Sequence, residues 1–433
     1  MKTSKFQIII LIVFTIFIIT GVALFATYKG SQGKNQLPPM IFWGTFPKDK
    51  FDQYVMQVNN TLPQQLQITY VEHNQAEFLN NFVAALARGS GPDAILVSAD
   101  MILPTQDKLT PIPYSVFPRR TFLDQFIDEA GVYLGPDGIV GIPFSVNPMV
   151  MYWNRDTFNA AGIAVPPKYW DEFKELNKKL TVKDDNGTVT KSAVAMGDFG
   201  NVTNARELLG SLILQSGNPI TAVDDYGAVS SKLKQSGAQS PVPAVTFFTQ
   251  FVNPGSENYS WNRSWPDSKT AFVSGKLATY FGLAGELFAL RNKNLNLNFD
   301  VSTLPQFRTG GVTAAYGKLY GFSIVRQSRI ANAAFQAIAT LTMPKYLVNI
   351  SNLTYLPSVA RDIIAAGTTD PYVAMFNVGA LISRTWRDAD PAQSSKIFGG
   401  MIQAITSGQK SIYQALNDAS DRYDVVLRQA AGQ

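Results

Sequence analysis

Few residues in this chain could do covalent chemistry. It has no cysteine and one histidine, His73. Thiol nucleophiles, disulfides and Cys-ligated zinc are excluded, and so are histidine-rich metal sites. A Ser-His-Asp triad would have to use His73. No Gly-x-Ser-x-Gly or P-loop pattern occurs, and nothing marks a general acid and base among the 32 acidic residues. What remains is non-covalent. Trp43 closes the apolar run Met40–Trp43, Phe46 sits in the turn after it, and Asp100 follows the run Ala94–Val97. Aromatic faces cover apolar surface and carboxylates accept hydrogen bonds, which is the chemistry of ligand recognition. Each also has a plain structural role open to it: core packing for the two rings, a helix or turn cap for the acid.

The elements around these residues alternate. Met40 to Trp43 reads as a strand, Phe51 to Val58 as a helix, and Leu66, Ile68 and Tyr70 as an alternating strand. Glu77 to Arg88 is the clearest helix, with Phe78, Leu79, Phe82, Val83 and Leu86 on one face. Gly89 caps it and Pro92 prevents its restart. Ala94 to Val97 then reads as a buried parallel strand. In such a β-α-β-α-β unit ligands bind beyond the carboxyl ends of the strands, at Gly44 to Phe46 and Ser98 to Asp100. Later segments suit a second α/β lobe. Ile139–Phe144 and Met149–Trp153 read as two strands around Asn147-Pro148, and Asp185-Asn186-Gly187 as a hairpin turn. Helices are expected through Phe173 to Leu180, Arg206 to Gln215, Ser268 to Phe272, Ile330 to Leu341 and Ser411 to Arg428, with a strand at Lys276–Phe281.

With 433 residues and 46% apolar composition the chain can bury a large core. Its formal charge of +5 is concentrated at the start. Lys2, Lys5, Lys29 and Lys34 fall in the first 37 residues, which hold no acid; the rest has 33 basic residues against 32 acidic. A nucleic-acid partner is therefore not expected. Ile8 to Thr27 is uncharged and would span about 30 Å as a helix, the thickness of a bilayer core. Lys2 and Lys5 ahead of it put residues 1–7 in the cytoplasm, 8–28 in a transmembrane anchor and the body outside, after a linker at 29–37. Cleavage near Gly21-Val22-Ala23, giving a secreted protein, is the alternative.

Several stretches together resemble the bacterial extracellular solute-binding proteins of the maltose and multiple-sugar type. They are AALARGSGPDAILVSAD (84–100), KLTPIP (108–113), DGIVGIPFSVNPMVMYWNRDTFNAAGIAVPPKYWDEF (137–173), DDNGTVTKSAVAMGDFGNVTNARELLGSLILQSGN (184–218), WPDSKTAFVSGKLATYFG (265–282), VSTLPQF (301–307), YGKLYGFSIV (316–325) and SGQKSIYQALNDA (407–419). The order is more specific than any one piece. Three departures stand out. Tyr169 takes the place of a capping Thr before Trp170. Leu283-Ala284-Gly285 stands where sugar binders often carry a Trp, and no lipoprotein Cys follows the apolar segment.

The resemblance implies an α/β, two-lobed periplasmic-binding-protein-like fold with hinged, discontinuous lobes. The expected N-lobe is 38–143 with 304–343, the C-lobe 147–300 with 347–433, and the hinge 144–146, 301–303 and 344–346. It implies a monomeric, extracytoplasmic, membrane-tethered component of an ABC importer, with permease subunits as partners and a carbohydrate bound in the cleft. Neither a cofactor nor an enzymatic activity is expected. The implied ligand-binding residues are Trp43, Phe46, Asp100, Asn147, Asn204, Arg206, Tyr320 and Trp386. An acid at the place of Asp100 accepts hydroxyl hydrogen bonds in the family, and TWRDAD (385–390) is similar to an aromatic loop closing the cleft. A sensing or adhesion protein without a permease, and a glycoside hydrolase, are the competing readings.

Overall fold

The computed structural model describes residues 37–224, 227–309 and 311–432. The expected anchor, Ile8–Thr27, lies outside the described residues; among the described residues no helix is long and apolar enough to cross a membrane. Thirteen strands are described: β1 Met40–Gly44, β2 Ile68–Glu72, β3 Ala94–Ser98, β4 Leu109–Thr110, β5 Ile142–Asn154, β6 Val182–Lys183, β7 Val189–Val194, β8 Thr221–Val223, β9 Val229–Ser231, β10 Leu277–Leu283, β11 Phe299–Thr303, β12 Ala315–Val325 and β13 Ser383–Arg384. Eleven join one sheet in the order β2-β1-β3-β12-β5-β10-β7-β6, with β11 on β5 and both β4 and β13 on β12. β8 and β9 form a separate hairpin.

The first unit forms as its pattern dictates. β1 pairs in parallel with β2 and β3, linked by the helices Lys48–Asn59 and Gln75–Ala87. Asn74 caps the second helix by accepting the Ala76 N–H, and Gly89 follows it at φ +70°. That helix buries Phe78, Phe82, Ala85 and Leu86, whereas Val83, expected on the same face, is exposed. Farther on, Tyr169 makes no cap bond before Trp170. Instead Arg308 lies over its ring at 3.9 Å and binds Asp171 and Glu172 at 2.8 and 2.9 Å.

Two separate hydrophobic cores share the long sheet. One gathers side chains from 40–146 and 319–364, with Ala380; the other gathers most of its members from 149–316 and 386–427. Two strands run through both. β5 passes from one core to the other between Val146 and Met149, and β12 between Tyr316 and Leu319. The pair of strands read around Asn147-Pro148 is thus one strand of 13 residues. Pro148 fits because it stands where pairing with β12 ends and pairing with β10 begins, so its missing N–H falls at a handover of partners.

The expected lobe boundaries shift for the same reason. Leu304, Ala315 and Tyr316 pack in the second core, so the passage falls within β12 and not at 301–303. The helix Pro344–Thr354 buries Tyr346, Leu347 and Ile350 in the first core, with Val359, Ala360 and Ile364 beyond it. The return to the second core therefore comes after residue 364 for most of this segment.

Candidate functional site

Three helix N-termini meet around a cavity of about 570 Å³ between the two cores. Gln75–Ala87 comes from the first core side; Ala205–Gln215 and Pro391–Thr406 come from the second. Asn74, Gln75, Met101 and Pro104 form one wall. Phe199, Asn204, Glu207, Asp390 and Ser395 stand on the other, with Arg206 behind them. Two of the helix starts are satisfied by their own caps, Asn74 and Asp390, the latter accepting from the Ala392 and Gln393 N–H groups. The third opens on Asn204, which sits at φ +58° and does not cap. Its amide nitrogen instead donates to Glu286 at 2.8 Å and to the Tyr280 hydroxyl at 3.3 Å.

A buried ionic network lies under this wall. The Arg206 side chain is 3% exposed and bonds Asp388 at 2.5 Å, Glu207 at 2.9 Å and the Ser394 hydroxyl at 2.8 Å. Its guanidinium lies 4.5 Å from the Trp386 ring centre. Burial alone would lower its pKa, but Asp388, Glu207 and their neighbours outweigh that and hold it well above the ordinary guanidinium value. Asp100 faces it from the first core at 3.8 Å, and accepts from the Ser98 hydroxyl at 2.5 Å and the Tyr316 hydroxyl at 3.5 Å. Asp100 and Arg206 thus stand on opposite sides of the seam. Lys318, in β12, reaches Gln75 with its ammonium at 2.6 Å. Burial would lower its pKa, yet Tyr320 and Asp100 keep it above the usual value.

Of the eight residues expected from sequence, Asn204 and Arg206 border the cavity, and Asp100 joins the network beneath it. The others sit elsewhere. Phe46 is a core residue rather than a cleft wall: it is buried edge-on to Phe144 and Tyr320 at 5.5 and 5.3 Å. Tyr320 is buried in that same cluster. Trp386 is also buried, donating its indole N–H to Tyr423 at 3.0 Å and backing Arg206. It closes no loop over the cleft, because its ring fills the space beside Gly210, where a Cβ would come within 2.7 Å of it. Trp43 is half-buried and its ring lies tilted against His73, ring centres 4.3 Å apart. Burial holds His73 below the ordinary histidine pKa, with Glu77 opposing. Asn147 spends its amide oxygen on the Gly285 N–H at 2.9 Å, tying β5 to the turn after β10.

Asn74, Gln75, Glu207, Asp390, Ser395 and Lys318 were missed. The signal for two of them was present: Asn74 and Asp390 are the caps of helices, and Asp390-Pro391 is a strong helix start. Among the described residues no group of acids and histidine could hold a metal ion. The arrangement offers amides, carboxylates and a hydroxyl around a space of ligand size, with Phe199 as its aromatic surface. It can hold a solute by hydrogen bonds from both sides.

Comparison with known proteins gives the chain a family and its fold relatives. A model of the bacterial extracellular solute-binding protein family matches residues 59–377. The chain belongs to that family. It is similar to an arabinooligosaccharide-binding protein of Halalkalibacterium halodurans, at 27% identity over 158 residues, about a third (33%) of each chain. Among solved structures it is similar to a cyclo/maltodextrin-binding protein complexed with maltotetraose (TM-score 0.71, 16% identity, 93% of this chain and 98% of that one). It is also similar to a protein designated CpMnBP1 with mannobiose bound (TM-score 0.63, 21% identity, 90% and 100%). These two likenesses establish the mixed α/β fold of such binding proteins.

Proposed function

We propose that this chain is the solute-binding component of an ABC importer and closes two hinged lobes on a carbohydrate. The observation that carries the reading is the cavity between the two cores, with hydrogen-bonding side chains on both walls. The lobes in this account are 38–146 with 319–364, and 149–316 with the remainder up to the C-terminus, joined through β5 and β12. Solutes that engage both walls favour the closed form, since closure is stabilised by contacts that neither lobe makes alone. The carbohydrate assignment rests on what the similar proteins bind and on the polar character of the walls. Polar groups buried by closure penalise a ligand whose hydroxyls do not match them. The body would lie outside the cell, held to the membrane by the segment Ile8–Thr27, and hand its solute to permease subunits.

A thermal-shift panel of sugars, sugar alcohols, amino acids and polyamines tests this. A ligand at about 100 times its dissociation constant stabilises the protein by about 2.7 kcal/mol. Stabilisation by one group of sugars is the expected result. Stabilisation only by amino acids or polyamines would overturn the carbohydrate assignment while leaving the solute-binding role.

A further inference from the structure

Glu129 is the buried acid that none of the interactions above uses. It lies in the short helix Asp128–Tyr133 and is 3% exposed. Neither carboxyl oxygen has a hydrogen-bond partner. The carboxyl lies against β12 at Gly317, where an added Cβ would come within 2.6 Å of its Oε2 and 2.5 Å of the Ser383 hydroxyl. Gly317 lies between Tyr316 and Leu319, where β12 passes from one core to the other. The carboxyl is therefore wedged at the joint between the proposed lobes.

The seam around it is closed by bonds between the two sides. Asp128 binds Arg384 across the seam at 2.9 Å, and Arg361 on its own side. Arg387 donates to the Val132 and Leu134 carbonyls at 3.1 and 2.9 Å. Ala130 and Tyr133 belong to the first core, whereas Trp386, beside Arg387, belongs to the second. A rotation of one lobe on the other must slide or part this seam, and parting it admits water to Glu129.

We propose that Glu129 couples lobe closure to proton uptake, so that solute capture binds a proton and weakens as pH rises. The inference rests on the two-lobed reading above and adds its regulation. A carboxylate without a partner is strongly disfavoured in such a place, so this arrangement, which we take as the closed form, holds the neutral acid. The charged and titratable groups facing it agree on balance. Burial pushes the Glu129 pKa well above the carboxylate range, Arg384 draws it back less, and Asp100 pushes it further up. Tyr133, on the same short helix, stays protonated, and Asp128 is taken by the two arginines. In the open form water returns the group toward its ordinary pKa. The sign follows: with the closed-state pKa raised, closure is favoured below the ordinary carboxylate range and loses ground as pH climbs toward the closed-state value. One proton per closure shifts the equilibrium up to about tenfold per pH unit.

The chain has no cysteine, so a dye pair placed through Asn80→Cys and Lys396→Cys, exposed positions on helices from opposite sides of the cavity, reports lobe separation. Energy transfer is measured in the full chain without ligand from about pH 5 to about pH 8, alongside the same chain with Glu129→Gln, a neutral side chain of equal shape. The expected result is a fall in transfer with rising pH that Glu129→Gln abolishes. With a sugar found by the panel, the dissociation constant should rise with pH by up to about tenfold per unit, and stay flat in Glu129→Gln. A flat wild-type profile, or a Glu129→Gln profile that follows the wild type, overturns the proposal. The ligand-free arm decides it even if no sugar binds, which separates its failure from failure of the carbohydrate assignment. If Glu129→Gln does not fold, Arg384→Met serves: loss of the charge that favours ionisation should move the transition to higher pH, and an unmoved transition would refute the coupling.

Discussion

Arg206 shows what residue type alone can and cannot give. Its place at a helix start by the cleft was legible, because Ala205–Gln215 has a clean apolar pattern. Its partner was not, because Asp388 lies 182 residues away. That partner decides the role: a guanidinium held by Asp388 and Glu207 braces the wall and leaves little for a ligand. Breaking a buried pair by removing one member strands the other charge, so Asp388→Ala should cost about 3–5 kcal/mol in urea unfolding. The Ser394 and Tyr423 hydroxyls, which donate to Asp388 at 2.6 and 2.7 Å, would lose their acceptor as well. A loss below about 1 kcal/mol would mean the pair is solvated in solution. Phe46 and Trp386 make the complementary point. A ring at a strand end or in a loop can face either way, and nothing in the local sequence says which. Trp386→Ala should cost about 3–5 kcal/mol, as expected for a ring in a packed core, and an unchanged unfolding midpoint would put it back at the surface.

At the scale of elements the sequence was informative wherever a period, a cap or a glycine marked a boundary. The helices Gln75–Ala87, Ala205–Gln215 and Ile412–Ala430 and the hairpin at Gly187 fall close to their expected limits. It misled where an element depends on its neighbours. Asn147-Pro148 looks like a break, yet pairing with β12 on one side and β10 on the other carries β5 through it. The helix Pro344–Thr354 has an apolar face that says nothing about which core receives it. β12, like β5, runs through both cores, and its Gly317 is there for space. Gly317→Ala should cost about 1–3 kcal/mol by overpacking against Ser383 and Glu129. A neutral effect in thermal unfolding would mean that this seam is looser than its contacts imply.

For the whole molecule, two cores on one long sheet leave a polar cavity between them, and that division is what the proposed capture by closure would use. The family was legible in the order of its segments. The cavity walls were not, since they are helix starts brought together from residues near 75, 205 and 391. The central claim is that a solute is held by groups from both lobes at once. Gln75 and Asn204 line the cavity, one from each side. The most direct test is calorimetric titration of the sugar found by the panel into wild type, Gln75→Ala and Asn204→Ala. Each lost hydrogen bond to a buried ligand group is worth about 1–3 kcal/mol, so each variant should weaken binding about fivefold or more. Weakening in both is the expected result, with ligand-free melting temperatures falling by no more than loss of the Gln75–Lys318 and Asn204–Glu286 bonds explains. Binding that neither substitution alters would place the solute elsewhere and contradict the account.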